Sequence, residues 1–210
     1  MKAFIRSDAA KNTLLKASSS AGFTGLWLEA SAPRCFFANE PLSRPSDLKG
    51  LAIRVPESEM SIRTVKVLGA TPDPLSTDET YQALRHSIID AAENNFVYYV
   101  QKHYYEVAPV FSEDMHSMSP NAVIISQKTY DALGEKAQEW VDEAAVAGRE
   151  AQIGAYEDSY SRLMGFAGTL GIRIVKVDRG PFIEATRQIL DEEREKPGVA
   201  EVIRTIEDCR

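Results

Sequence analysis

Cysteine, histidine and clustered basic residues are all scarce in this chain, and each scarcity removes a class of function. The two cysteines are Cys35, inside the apolar run Cys35-Phe36-Phe37, and Cys209, next to last. Their separation gives neither a disulfide framework nor a thiolate metal site, and Cys35 reads as a buried apolar position. His86, His103 and His116 fall into no metal-ligand spacing. A formal charge of -7 and a pI near 5.1 leave no basic patch for a nucleic acid or an anionic membrane surface. No apolar run approaches the roughly 20 residues of a membrane-spanning helix. The start, Met1 to Asp8, lacks the apolar stretch of a signal peptide, so the chain as written would stay where it is made. Walker loops, glycine-rich dinucleotide turns, Gly-x-Ser-x-Gly elbows and His-Glu-x-x-His zinc sites are missing too. The sequence thus implies no catalytic residue, no metal and no cofactor, and points to small molecules or proteins as partners.

What is present is the composition of an ordinary globular protein, 210 residues with 44% hydrophobic and 26% charged side chains. That length allows one large domain or two small lobes. Helix formers from Asp8 to Ser20 precede a strand over Gly25 to Glu29, and further strands are predicted at Cys35 to Ala38 and Leu51 to Val55. Glu57 to Leu68 reads as a helix ended by Gly69. Pro72 and Pro74 keep the next stretch extended, and Thr77-Asp78-Glu79 opens a helix over Tyr81 to His86. A brief strand Ile88 to Ala91, a helix from about Asn94 to His103, and strands near Val107 to Phe111 and Ala122 to Ser126 follow. No proline interrupts Gln127 to Gly168, where Trp140, Ala144, Gly148, Ala151 and Ala155 recur at helical spacing. This predicts one long helix crossing between lobes, its stripe of small residues approached by another element, with a kink at Gly148 or Gly154. A strand Ile172 to Val177 and helices Pro181 to Arg194 and Val199 to Ile206 close the chain. The alternation is that of an α/β fold.

Within that frame the segment Leu48 to Ser58 places Arg54 at the end of a short apolar strand. Strand ends in α/β folds face ligand crevices, and a guanidinium can make two parallel charge-assisted hydrogen bonds to a carboxylate. Arg34 is a second strand-end arginine, with a surface salt bridge as the other reading. Asp90 to Asn95 follows a strand-like Ile88-Ile89, so the amide of Asn94 is offered to a ligand or, alternatively, caps the next helix. His116 could donate to a ligand hydroxyl or be a satisfied structural histidine. The tyrosine pairs Tyr98-Tyr99 and Tyr104-Tyr105 read as packing.

Taken together, Arg34, Asp47-Leu48-Lys49-Gly50, Ile53-Arg54-Val55-Pro56, Gly69-Ala70, Tyr81-Gln82-Ala83-Leu84, Asp90 to Asn95 and Tyr105-Glu106-Val107 resemble the solute-binding proteins of tripartite ATP-independent periplasmic (TRAP) transporters. The order and spacing match over essentially the whole chain. The resemblance implies a two-lobed periplasmic-binding-protein-like α/β fold that closes around an organic acid, with Arg54 pairing with its carboxylate and Arg34 and Asn94 assisting. It also implies a periplasmic location and the membrane subunits of a TRAP transporter as partners, without insertion of the chain itself. Ala92-Glu93-Asn94-Asn95, His103-Tyr104-Tyr105-Glu106 and the His116 to Pro120 segment resemble the branch that takes sugar acids. Thr77 stands where the family commonly has an aromatic residue, which suits a polyol; Ala91 stands where Gly is usual, and Pro33 where small residues are typical. The expected ligand-binding set is Arg34, Arg54, Glu57, Thr77, Asn94 and His116.

The resemblance also places Met1 at what looks like an interior helix, so a signal peptide and about half a lobe of the family pattern have no counterpart here. Residues 32–120 and 161–210 are then expected to form one nearly complete lobe, and residues 1–31 and 121–160 the remnant of the other. The function expected is capture of a carboxylate-bearing solute, such as a uronate or aldonate, for a TRAP-type transporter. A ligand-sensing or interaction module of the same fold, without a dedicated transporter, is the alternative.

Overall fold

In the computed structural model the described residues are 2–7, 10–29 and 31–208. Part of the predicted helix Asp8 to Ser20 and Cys209 lie outside them. The chain divides into two compact units, one built from residues 1–31, 119–158 and 193–210, the other from residues 32–118 and 159–192.

The second unit is organised by a six-stranded sheet of order β4-β3-β5-β2-β6-β8. Its strands are β2 (Arg34–Ala38), β3 (Ala52–Val55), β4 (Thr71–Pro74), β5 (Ala91–Asn95), β6 (Val110–Ser117) and β8 (Arg173–Lys176). β3 pairs in parallel with β4 and β5, and β6 with β8, while β2 runs antiparallel between β5 and β6. The C-terminal ends of five strands and the start of β2 therefore share one end of the sheet. Proline-containing β4 sits at an edge, where a missing N–H breaks no ladder bond. Strand alternation sorts the apolar residues into two cores. Cys35, Phe37, Ala92, Phe96, Tyr99, Tyr104 and Phe111 pack on one face. Phe36, Ala38, Ile53, Val55, Ala91 and Phe182 pack on the other.

Two boundaries shift from expectation for a shared reason. The strand placed at Ile88 to Ala91 is Ala91–Asn95, and the one placed at Val107 to Phe111 is Val110–Ser117. In both, the polar residues read as a post-strand loop continue the strand, because their side chains find buried partners. Asn95, not Asn94, caps the helix Phe96–Gln101, its side chain accepting from Tyr98 N at 3.0 Å.

In the first unit β1 (Phe23–Glu29) and β7 (Asn121–Ser126) form an antiparallel pair. Phe4, Ile5, Ala10, Leu15, Leu28 and Ile153 make its core, with Leu14 and Ile206 packed against it. Gly25 is fixed by a close approach, since a Cβ there would lie 2.8 Å from both Cβ and the carbonyl oxygen of Leu15. The long helical stretch is divided by residues 132–134 into Gln127–Asp131 and Glu135–Phe166. The expected buried stripe does not hold: Trp140, Ala144, Ala151 and Ala155 are exposed, whereas Ala145 and Ile153 are buried. Small residues occur on several sides of this helix, so they left its covered face undefined; Ile153, packed with Leu28, defines it. Within the stripe Gly148 lies close to another element, where a Cβ would touch the Trp27 ring at 3.5 Å.

The C-terminal helix departs from the expected division. Residues 193–210 belong with the first unit, where Ile206 packs on the Phe4–Leu28–Ile153 core.

Candidate functional site

Arg54 is the third residue of β3 and alternates out of the Ile53–Val55 core onto the opposite face, beside Ala92 of β5. It is only 3% exposed. Its Nε and one terminal nitrogen donate to the carbonyl of Leu75 at 2.8 and 2.5 Å. Among the described residues no carboxylate pairs with it. Burial lowers its pKa, and the field of Glu93 works in the other direction. Thr77, two residues past Leu75, opens the helix Thr77–Arg85 and is half-buried, its carbonyl accepting from Tyr104 OH at 2.8 Å.

Arg34 begins β2 and, by alternation, belongs to the face of Phe36. Its Nε donates to Glu93 Oε2, and NH2 donates to Glu93 Oε1 at 2.7 Å and to the Glu93 carbonyl at 3.1 Å. NH1 donates to Asn94 Oδ1 at 3.2 Å. The same oxygen accepts from Asn95 N at 2.9 Å, which leaves the Asn94 amide nitrogen as the free end of that side chain. Asn94 is 5% exposed and Glu93 2% exposed, so this is a desolvated cluster and not the surface salt bridge weighed as the alternative for Arg34.

His116 reaches the cluster through a bulge. Arg34 pairs with Ser117, yet Phe36 pairs with Ser112, so β6 carries extra residues between these points, with Met115 at φ 50. Alternation from Ser112 sets Asp114 and His116 on the Phe36 face, and the bulge shifts this end of β6 along β2. Asp114 Oδ1 accepts from Phe36 N at 2.9 Å, replacing a ladder bond. His116 stacks on Phe36 with centroids 4.1 Å apart. Its Nδ1 lies 2.6 Å from Asp114 Oδ2 and its Nε2 3.4 Å from Glu93 Oε2, with the side chain 5% exposed. Burial acts to lower the imidazole pKa, but the two carboxylates outweigh it and hold the value up at about 9. Glu93 moves the opposite way: burial acts to raise it, while His116 and Arg34 bring it down to about 2. The geometry thus favours the structural reading of His116, since both ring nitrogens are engaged within the protein.

The structure brings Arg34, Asn94 and His116 into one network through Glu93 and places Arg54 at the same end of the sheet on its other face. Glu57 is not part of it; it is exposed on the bend after β3. Glu93 and Asp114 are the members that the sequence reading did not assign. Their signal was acidic residues that directly continue short apolar runs, Ala91-Ala92 and Val110-Phe111, a placement that burial tolerates only with partners.

The family model described as bacterial extracellular solute-binding protein, family 7 (DctP), matches residues 1–196. The protein YiiZ of Salmonella typhimurium is 32% identical over 185 residues, covering 87% of this chain and 56% of its own. The 2,3-diketo-L-gulonate-binding periplasmic protein YiaO of Escherichia coli K12 is 33% identical over 147 residues, 69% of this chain and 44% of its own. Among solved structures, a TRAP periplasmic solute-binding protein of Xanthobacter autotrophicus Py2 with bound β-D-galacturonate superposes with a TM-score of 0.85 at 29% identity, covering 91% of this chain and 65% of its own. One from Bradyrhizobium sp. BTAi1, with bound α/β-D-galacturonate, gives 0.90 at 26% identity, covering 99% and 69%. The chain spans about half the length of the curated relatives it matches.

Proposed function

This chain belongs to family 7 of the bacterial extracellular solute-binding proteins, and from that premise we propose that it binds a sugar acid, a uronate such as galacturonate, by its carboxylate and presents it to the membrane subunits of a TRAP transporter. The observation that carries the reading is Arg54: a 3% exposed guanidinium whose hydrogen-bond partner among the described residues is a main-chain carbonyl. A buried cation without a counter-anion is costly, and a ligand carboxylate supplies one. Arg34 assists from the other face of the sheet end and the amide of Asn94 from Arg54's own face, while Thr77 offers a polar neighbour to a polyol. The solved relatives carrying galacturonate support the ligand class.

The proposed role is binding without turnover in the periplasm, the compartment in the names of several relatives. No helix among the described residues is long and apolar enough to cross a membrane. Thermal-shift screening with D-galacturonate, D-glucuronate, a hydrophobic 2-oxo acid and neutral galactose tests the reading. Stabilisation by the uronates alone, with the sugar acid recovered unchanged, is expected. Stabilisation by the 2-oxo acid and not by the uronates would overturn the ligand class.

A further inference from the structure

We propose that His116 is a positioning residue: together with Asp114 it fixes the Glu93 carboxylate, and Glu93 fixes Arg34, so that one NH1 hydrogen of Arg34 and the amide of Asn94 remain for the ligand. The inference rests on the uronate reading above and adds the network that orients its donors.

The geometry is that of a relay with each member committed. Asp114 is held by Phe36 N and holds His116 Nδ1; His116 is sandwiched between that carboxylate and Glu93 while its ring lies flat on Phe36. Glu93 spends both oxygens on the Nε–NH2 edge of Arg34, and its carbonyl takes a further NH2 hydrogen. Of the five guanidinium hydrogens, Asn94 Oδ1 takes one more, from NH1. Rotation of Arg34 about its long side chain is thereby stopped with one donor left over. Without the His116 contact the Glu93 side chain would be held by Arg34 alone, so that the two could shift together and carry the donor with them.

The test is a double-mutant cycle read by calorimetry with D-galacturonate on the 210-residue chain. His116→Gln is expected to weaken binding by about tenfold or more, and to add nothing in an Arg34→Lys background, where the fork is already gone. Nitrogen-15 spectra should show His116 with both ring nitrogens protonated at neutral pH, and an Arg34 Nε–H signal that is slow to exchange in the wild type and fast in His116→Gln. Equal weakening in both backgrounds, or an unchanged affinity with an unchanged Arg34 signal, would overturn the relay. Should His116→Gln fail to fold, the wild-type spectrum decides: a singly protonated His116 or a fast-exchanging Arg34 Nε–H contradicts it. A wild type that takes no uronate but shows both spectral signatures would instead sink the ligand reading and leave the relay standing.

Discussion

Arg54 and Arg34 are alike in sequence, strand-end arginines both, yet their surroundings give them different duties. Arg34 spends four of its five guanidinium hydrogens on Glu93 and Asn94, whereas Arg54 donates to the Leu75 carbonyl and, among the described residues, pairs with no carboxylate. Replacing Arg54 with Ala should weaken D-galacturonate binding by on the order of a hundredfold, about 3 kcal/mol, and Arg54→Lys should also bind weakly because an ammonium cannot make the two-pronged contact. Since Arg54 is buried and holds Leu75 O, the alanine variant should also melt lower, by about 1 kcal/mol of stability. The buried charges predict a pH profile as well. The His116 pKa is raised to about 9, so its contribution is complete below its unfolded value of about 6.5 and is lost as pH rises through the folded value. The Glu93 pKa is lowered to about 2, so its contribution is complete above about 4.3 and is lost as pH falls. Melting curves should therefore give a plateau between these limits, and His116→Phe should remove the alkaline decline; a wild-type curve flat from neutral to pH 9 would contradict the assignment. The placement of the two arginines and of Asn94 near strand ends was legible in the sequence because motif and strand end coincide. Glu93 and Asp114 were not, because whether an acid in a strand is buried depends on a partner far away in the chain, and the partner is delivered by a bulge that no local pattern announces.

At the scale of elements, helices and strands were read close to their true positions wherever turn chemistry and periodicity agreed. Glu59–Val67 and Val199–Asp208 lie within a few residues of their expected bounds. The reading failed where polar residues continue a strand, in β5 and β6, and where alanines and glycines left the face of the long helix ambiguous. Two glycines of the first unit make contrasting tests. Gly25→Ala would press a methyl against the Leu15 main chain and should cost about 1–3 kcal/mol, because backbone cannot step aside as a flexible side chain can. Gly154→Ala meets nothing within 4 Å in the helix Glu135–Phe166 and should be neutral or stabilising by up to about 1 kcal/mol. Denaturant midpoints for the pair check both; equal effects would mean that the close approach at Gly25 is absent.

At the scale of the whole molecule, the α/β class and the discontinuous units were expected from the alternation and the resemblance. The return of the last helix to the first unit was not, since an amphipathic helix at a chain end carries no mark of which core it joins. Among its described residues the first unit has a two-stranded sheet and leaves Phe23, Ile124, Trp140 and Val146 exposed. Two-stranded sheets are marginal alone and their edges are open to pairing. The chain should accordingly bind the dye ANS and self-associate with rising concentration in light scattering, and Trp140→Lys should lessen the dye signal; a dye-silent monomer would show that these side chains are covered. The central claim is that Arg54 lacks an anion that a sugar acid supplies, and calorimetric titration of D-galacturonate into wild type and Arg54→Ala, with a melting curve of each, tests it most directly. Saturable binding by the wild type, lost by about a hundredfold in a variant that still folds, is the predicted result; a variant that melts lower yet binds galacturonate as the wild type does would make Arg54 a purely structural residue and contradict the account.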